Sequence, residues 1–179
     1  SLRSNMEIID DAKINIMKLK KYILDYKLKH SELDVIVIDY LQIMDRPSGM
    51  KEYEFLCETT RALKQIAREN EIVIICLSQL NRGGTERKEK RPILADLRGS
   101  GSIEADADMV IFLHREEWYY AERGEECPAE VKGILEFIIA KYRQGSPKKG
   151  IYNINLSLSS LHECDEFTKR KYMDFLKGV

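Results

Sequence analysis

Asp39 closes a run of four β-branched residues, Val35-Ile36-Val37-Ile38. Such a run suits a strand buried on both faces, as in the middle of a parallel sheet. A carboxylate at the end of that strand contributes little to packing, and open α/β sheets place their ligands at that edge. One use of an Asp there is to hold Mg²⁺ beside nucleotide phosphates, the Walker B role. An Asp that caps a helix after an ordinary strand leaves the same pattern. Two further polar sites obey the same rule. Gln79 lies just past the apolar run Ile72 to Leu77, and Lys141 and Arg143 lie just past the run Ile134 to Ala140. A parallel sheet gathers such ends along one edge, so their shared placement means more than any one of them.

The elements needed to position these residues can be read from periodicity. Met6 to Ile9 reads as a short strand. Ile16, Leu19, Ile23 and Tyr26 form a helical stripe, and Phe55, Leu56, Thr59, Leu63, Ile66 and Ala67 form a second, on a helix from about Met50 to Asn70. Strands are expected over Val35–Ile38, Ile72–Leu77, Met109–Leu113 and Ile134–Ala140. Ile151 to Leu156 alternates apolar with polar, as an antiparallel or edge strand does. A short helical segment is expected between Ile93 and Gly99. The stretch from Glu116 to Lys132 reads as an exposed excursion, whose aromatics Trp118, Tyr119 and Tyr120 are expected to pack a loop. The tail from Glu163 onward is mixed in charge and expected to be partly loose. Strand and helix in this alternation, with apolar early strands, give an α/β fold with a mainly parallel sheet flanked by helices.

Composition narrows the classes. The chain has 179 residues, 33% charged and 44% hydrophobic, which fits one soluble domain with a sizeable core. No apolar run approaches the roughly 20 residues of a membrane span, so no membrane partner is expected. Four separated cysteines and three scattered histidines form no metal-ligand cluster and read as those of a cytoplasmic protein. The net charge of −1 hides two basic stretches. One contains Arg82, Arg87, Lys88, Lys90, Arg91 and Arg98, the other Lys141, Arg143, Lys148 and Lys149. A neutral chain with local basic loops can bind a polyanion on one face, although most charge runs are simply solvated.

Five motifs occur in order: Asp39-Tyr40-Leu41-Gln42; Leu77-Ser78-Gln79-Leu80; Arg91-Pro92 with Asp96-Leu97-Arg98; Ser100-Gly101-Ser102-Ile103-Glu104 with Asp106-Ala107-Asp108; and Ala140-Lys141-Tyr142-Arg143-Gln144-Gly145. Together they resemble the C-terminal, RecA-like ATPase domain of the DnaB-type replicative DNA helicases, from about residue 8 to 156. On this reading residues 1–179 are a partial domain of that kind, with a lead-in or tag at 1–5 and a tail at 163–179.

The resemblance implies a RecA-like P-loop NTPase core that uses ATP and Mg²⁺. Asp39 would be the Walker B ligand to the metal, and Gln79 would sense the γ-phosphate. Lys141 and Arg143 would reach a neighbouring subunit's ATP, the Arg as a finger in trans. A guanidinium so placed stabilises charge developing in the transition state. Arg98 and Gly101 would contact the backbone of single-stranded DNA, with Arg82, Arg87, Lys88 and Arg91 adding attraction. The family further implies a homohexamer, 5′→3′ translocation, and contacts with primase and a helicase loader.

The chain departs from the family in two places. Gly99 stands where the family usually has Glu. No Gly-Lys-Ser or Gly-Lys-Thr occurs, so the phosphate-cradling loop is not in this sequence. In the family that loop and the catalytic glutamate lie upstream of the segment matching Ile8. The N-terminal part of the core is therefore expected to precede Ser1, and residues 1–179 alone are expected to be inactive. Two other readings carry a similar strand-end Asp: a RecA- or RadA-type recombinase, and a non-catalytic module that binds DNA or a ring partner.

Overall fold

The computed structural model describes residues 6–30, 32–81, 89–97 and 100–178, Ser100 by its backbone alone. The chain divides into two compact units, Ser1–Leu80 with Leu97–Ala107, and Asn81–Asp96 with Asp108–Val179.

The first unit is built on helix α1 (Ile16–Lys29), strand β1 (Val35–Ile38), helix α2 (Glu52–Asn70), strand β2 (Val73–Cys76) and helix α3 (Ser100–Asp106). Asn15 starts α1 by accepting the Lys18 backbone N–H at 3.0 Å, the usual action of an N-cap amide. α2 ends where Glu71 takes the left-handed conformation (φ 56°) and Asn70 donates from Nδ2 to the Ile66 carbonyl. β1 and β2 pair in parallel, Val35 opposite Val73 through Ile38 opposite Cys76. The stripes expected from periodicity make the core: Leu19 and Ile23 from α1, and Phe55, Leu56, Leu63 and Ile66 from α2, joined by Leu41, Met44 and Ile72. Thr60 ties α2 to α3 by donating to Asp106 at 2.7 Å. Leu56 is 1% exposed. Leu56→Ala should therefore cost about 2–5 kcal/mol, read as a lowered melting temperature.

Two expectations are corrected here. Residues 6–10 form no strand. β1 is not buried on both faces: Ile36 and Ile38 pack on the core, whereas Val35 and Val37 are exposed, as are their partners Val73 and Ile75. A β-branched run encodes a strand with two apolar faces. Within the described residues only the α1–α2 side covers one of them.

The second unit holds a four-stranded antiparallel sheet, in the order β3 (Met109–His114), β4 (Ile134–Tyr142), β5 (Lys148–Asn155), β6 (Ser160–Glu163), with helices α4 (Glu116–Arg123) and α5 (Glu166–Gly178). The α/β class thus combines a parallel pair with an antiparallel meander, and the alternation read in Ile151 to Leu156 belongs to the meander. One core cluster of this unit is Val131, Ile134, Cys164 and Tyr172, with Tyr120, Ile151, Phe175 and Leu176 packed against it.

The tail is not loose. Asp165 caps α5 by accepting the Thr168 N–H at 2.8 Å, and Tyr172 is fully buried. The excursion after β3 contains α4. There Tyr119 stacks on His114 and Tyr120 joins the core, while Trp118 remains 62% exposed. Among the described residues no helix is long and apolar enough to cross a membrane.

Candidate functional site

In the first unit the ladder between β1 and β2 runs past the strands. Leu77 N–H donates to the Ile38 carbonyl and Leu41 N–H to the Leu77 carbonyl, both at 2.9 Å. These bonds hold Asp39 and Gln79 at one edge of the parallel pair, where the C-terminal ends of both strands emerge. Gln42 fixes the same edge from its side chain. Its Nε2 donates to Ser78 Oγ at 2.8 Å, and its Oε1 accepts the Gln79 backbone N–H at 3.3 Å. Gln42 and Ser78 were visible in the sequence only as neighbours of Asp39 and Gln79. Their clamp was not legible, because it joins residues 36 positions apart.

Asp39 and Gln79 are both exposed, and the peptide bond from Asp39 to Tyr40 is cis. The Asp39 carboxylate makes no hydrogen bond or ion pair among the described residues, so it is available to a cation. Among those residues no group of three or more His, Cys, Asp or Glu could hold a metal by itself. A cation held by Asp39 would need its remaining ligands from outside such a cluster. Gly101 is exposed in α3, and a side chain there would meet only the Tyr53 hydroxyl, at 3.9 Å.

Lys141 and Arg143 stand in the second unit. β4 runs through Tyr142, two residues beyond the expected end, so Lys141 lies inside the strand and Arg143 in the turn after it. The β3–β4 register slips between Val110 opposite Lys141 and Ile111 opposite Ile139, leaving Ala140 as the extra residue of a β-bulge. Bulges break the side-chain alternation and re-aim the residues beyond them. The Arg143 backbone N–H donates to the Asp108 carbonyl at 2.8 Å, and its guanidinium stays 3.6 Å from the Asp108 carboxylate, both side chains being about half exposed.

Arg91, read from sequence as one of the cations facing a DNA strand, has its guanidinium on a different partner. Nε and Nη2 both donate to Glu136, Nη2 at 2.7 Å, and Nη2 also donates to the Tyr172 hydroxyl at 3.3 Å. Tyr172 in turn donates to Glu136. Glu136 is 2% exposed. Burial works against the charge on Arg91, but the hydrogen bonds and charge of Glu136 outweigh it and hold the guanidinium above its ordinary pKa. Burial and the bond to Glu136 likewise raise the Tyr172 phenol. Arg82, Arg87, Lys88, Arg98 and Gly99 lie outside the described residues.

Residues 2–160 match the family described as DnaB-like helicase C terminal domain. Replicative DNA helicase DnaB of Buchnera aphidicola subsp. Baizongia pistaciae is 37% identical over 175 residues, which is 96% of this chain and 35% of that protein. Among solved structures, an ATPase domain superposes with a TM-score of 0.82 at 33% identity, over 91% of this chain and 56% of that one. A DnaB-like replicative helicase, described with its interactions with primase, superposes with a TM-score of 0.81 at 32% identity, over 90% of this chain and 38% of that one. The chain thus spans about a third of the length of the DnaB relative it matches. Its strand-end Asp39 and Gln79 and its Lys141 and Arg143 at the end of β4 belong to a RecA-like fold, and the chain belongs to the DnaB-like helicase C-terminal domain family.

Proposed function

We propose that the natural protein containing this chain is a ring-forming replicative DNA helicase that couples ATP hydrolysis between subunits to 5′→3′ movement along single-stranded DNA. The observation that carries this reading is the edge of the parallel pair, where Gln42 clamps Ser78 and Gln79 beside the exposed carboxylate of Asp39. Family membership supports it. Asp39 would hold Mg²⁺ at this edge. The ion, when bound, would supply positive charge against the negative charge that develops on the nucleotide phosphates. Gln79 would contact the γ-phosphate, and the clamp would transmit its position to the next segment of the chain. Lys141 and Arg143 would serve the nucleotide of an adjacent subunit in a homohexamer. Gly101, with Arg98, Arg82, Arg87 and Lys88, would hold the phosphate backbone of single-stranded DNA without reading sequence. Arg91 would act on that interface through the loop it anchors rather than by touching DNA. Primase and a helicase loader would bind the assembled ring in the cytoplasm.

This chain lacks a Gly-Lys-Ser or Gly-Lys-Thr. Residues 1–179 by themselves are accordingly expected to show no ATP turnover. The test is ATPase activity of the natural full-length protein, with and without single-stranded DNA. Asp39→Asn should lower Mg²⁺-dependent turnover by about 10²-fold or more, because a catalytic metal contributes several kcal/mol of charge stabilisation. Normal turnover in that variant would remove Asp39 from the metal site. A folded, DNA-binding full-length protein with no turnover would instead identify a binding module.

A further inference from the structure

Helix α5 (Glu166–Gly178) lies past residue 160, where the family match ends, yet Tyr172 from this helix is among the most buried residues of the second unit. It reaches the one acidic residue within the apolar run of β4. Glu136 stands between His114 of β3 and Ile151 of β5, in the interior of the sheet. The third member, Arg91, belongs to the segment between Leu80 and Leu97. That segment is closed at its base by the Leu80–Leu97 bridge and by Asn81 N–H donating to the Asp96 carbonyl at 2.8 Å. Contacts that hold its returning arm include Lys90, by its carbonyl to the Tyr119 hydroxyl at 3.4 Å, and Arg91, by its guanidinium to Glu136 and Tyr172. The cations proposed to meet DNA, Arg82, Arg87 and Lys88, precede this arm in the same segment.

We infer that Tyr172 is a positioning residue for DNA-dependent turnover. Helix α5 braces the returning arm of the 81–96 segment through Arg91 and Glu136, and so sets how readily the segment engages single-stranded DNA. The inference rests on the proposed DNA role of that segment. Three features favour a brace over simple packing. The hydroxyl is placed between a cation and an anion that already pair. The pair comes from a loop and a sheet, so the helix adds a third element. The buried Glu136 needs both partners, since a carboxylate removed from water is costly unless fully hydrogen-bonded.

The experiment compares the natural full-length protein with Tyr172→Phe and Phe175→Leu. Tyr172→Phe keeps the ring in the core and removes only the hydroxyl. Phe175→Leu loosens the packing of the same helix and keeps the hydroxyl. Losing a hydrogen bond to a charged group weakens the brace by about tenfold or more. Tryptic cleavage after Lys90 tracks the population of the opened arm when opening is fast, so Tyr172→Phe should raise its rate about tenfold. The concentration of single-stranded DNA giving half-maximal ATPase stimulation should rise by a similar factor. Turnover without DNA, and turnover at saturating DNA, should not change. Phe175→Leu should move neither the cleavage rate nor the DNA requirement. Unchanged cleavage and DNA requirement in Tyr172→Phe would overturn the inference. The same loss in both variants would also overturn it, reducing α5 to packing. If the full-length protein hydrolyses no ATP, the helicase reading fails on its own account. The cleavage rate and direct affinity for an oligothymidine strand then decide the positioning role, and no change in either would overturn it.

Discussion

Arg143→Ala in the natural full-length protein is expected to lower DNA-stimulated ATP turnover by about 10³-fold, the lower end of what arginine fingers supply. At Arg143 the backbone is fixed, by the hydrogen bond from its N–H to the Asp108 carbonyl. The side chain is about half exposed. Its guanidinium is 3.6 Å from the Asp108 carboxylate, with 52% and 57% of the two side chains exposed. An exposed pair of this kind contributes roughly 0–1 kcal/mol, so this pair by itself adds little to the cost of moving the guanidinium to a phosphate. The bulge at Ala140 and the turn after Tyr142 set the angle from which it departs. The measurement is steady-state ATPase with saturating single-stranded DNA. A second arm mixes the variant with a full-length protein impaired in its phosphate-cradling loop. A finger acting in trans predicts partial recovery in the mixture, because some interfaces then pair an intact finger with an intact cradle. Wild-type turnover in Arg143→Ala would exclude the finger role. Loss without recovery would place Arg143 in its own subunit's site.

The contrast between Arg143 and Arg91 marks how far the sequence could be read. Both are arginines beside other cations, and composition treats them alike. Arg143 is about half exposed beside a half-exposed Asp108, whereas Arg91 is drawn inward by Glu136, 45 residues further along the chain. No local pattern encodes that pairing. One cue was present nonetheless. Glu136 interrupts the apolar run from Ile134 to Ala140, and a lone acid in a buried strand requires a cation or several donors. The tail carried a similar cue. Thr168, Tyr172, Phe175 and Leu176 recur at helical steps, and the capping Asp165 precedes them, but the surrounding charges obscured the stripe. The strands and α1 and α2 were legible because β-branched runs and three-four spacing reflect backbone geometry directly. Which face of β1 would be covered was not, since burial depends on what packs there and not on the strand's own residues.

Glu136→Ala should cost the second unit about 3–5 kcal/mol of stability. It removes the buried carboxylate on which the mostly buried Arg91 makes its bidentate bonds, and leaves it the exposed Glu89 at 3.8 Å. The bidentate bonds from Arg91, the bond from Tyr172 and the 2% exposure of Glu136 all point the same way. Amide hydrogen exchange in β4 of the full-length protein reads the effect where it arises, as protection lowered by that amount through Phe137 to Ala140. Arg91→Met combined with Glu136→Leu should recover most of the protection, since apolar replacement of a buried pair is often neutral or stabilising. If exchange in β4 is unchanged in Glu136→Ala, the pair does not hold this sheet. If the double variant recovers protection but not the DNA response, stability and positioning separate. The charged pair is then present to place the arm that carries Arg91, since an apolar core would hold the sheet equally well.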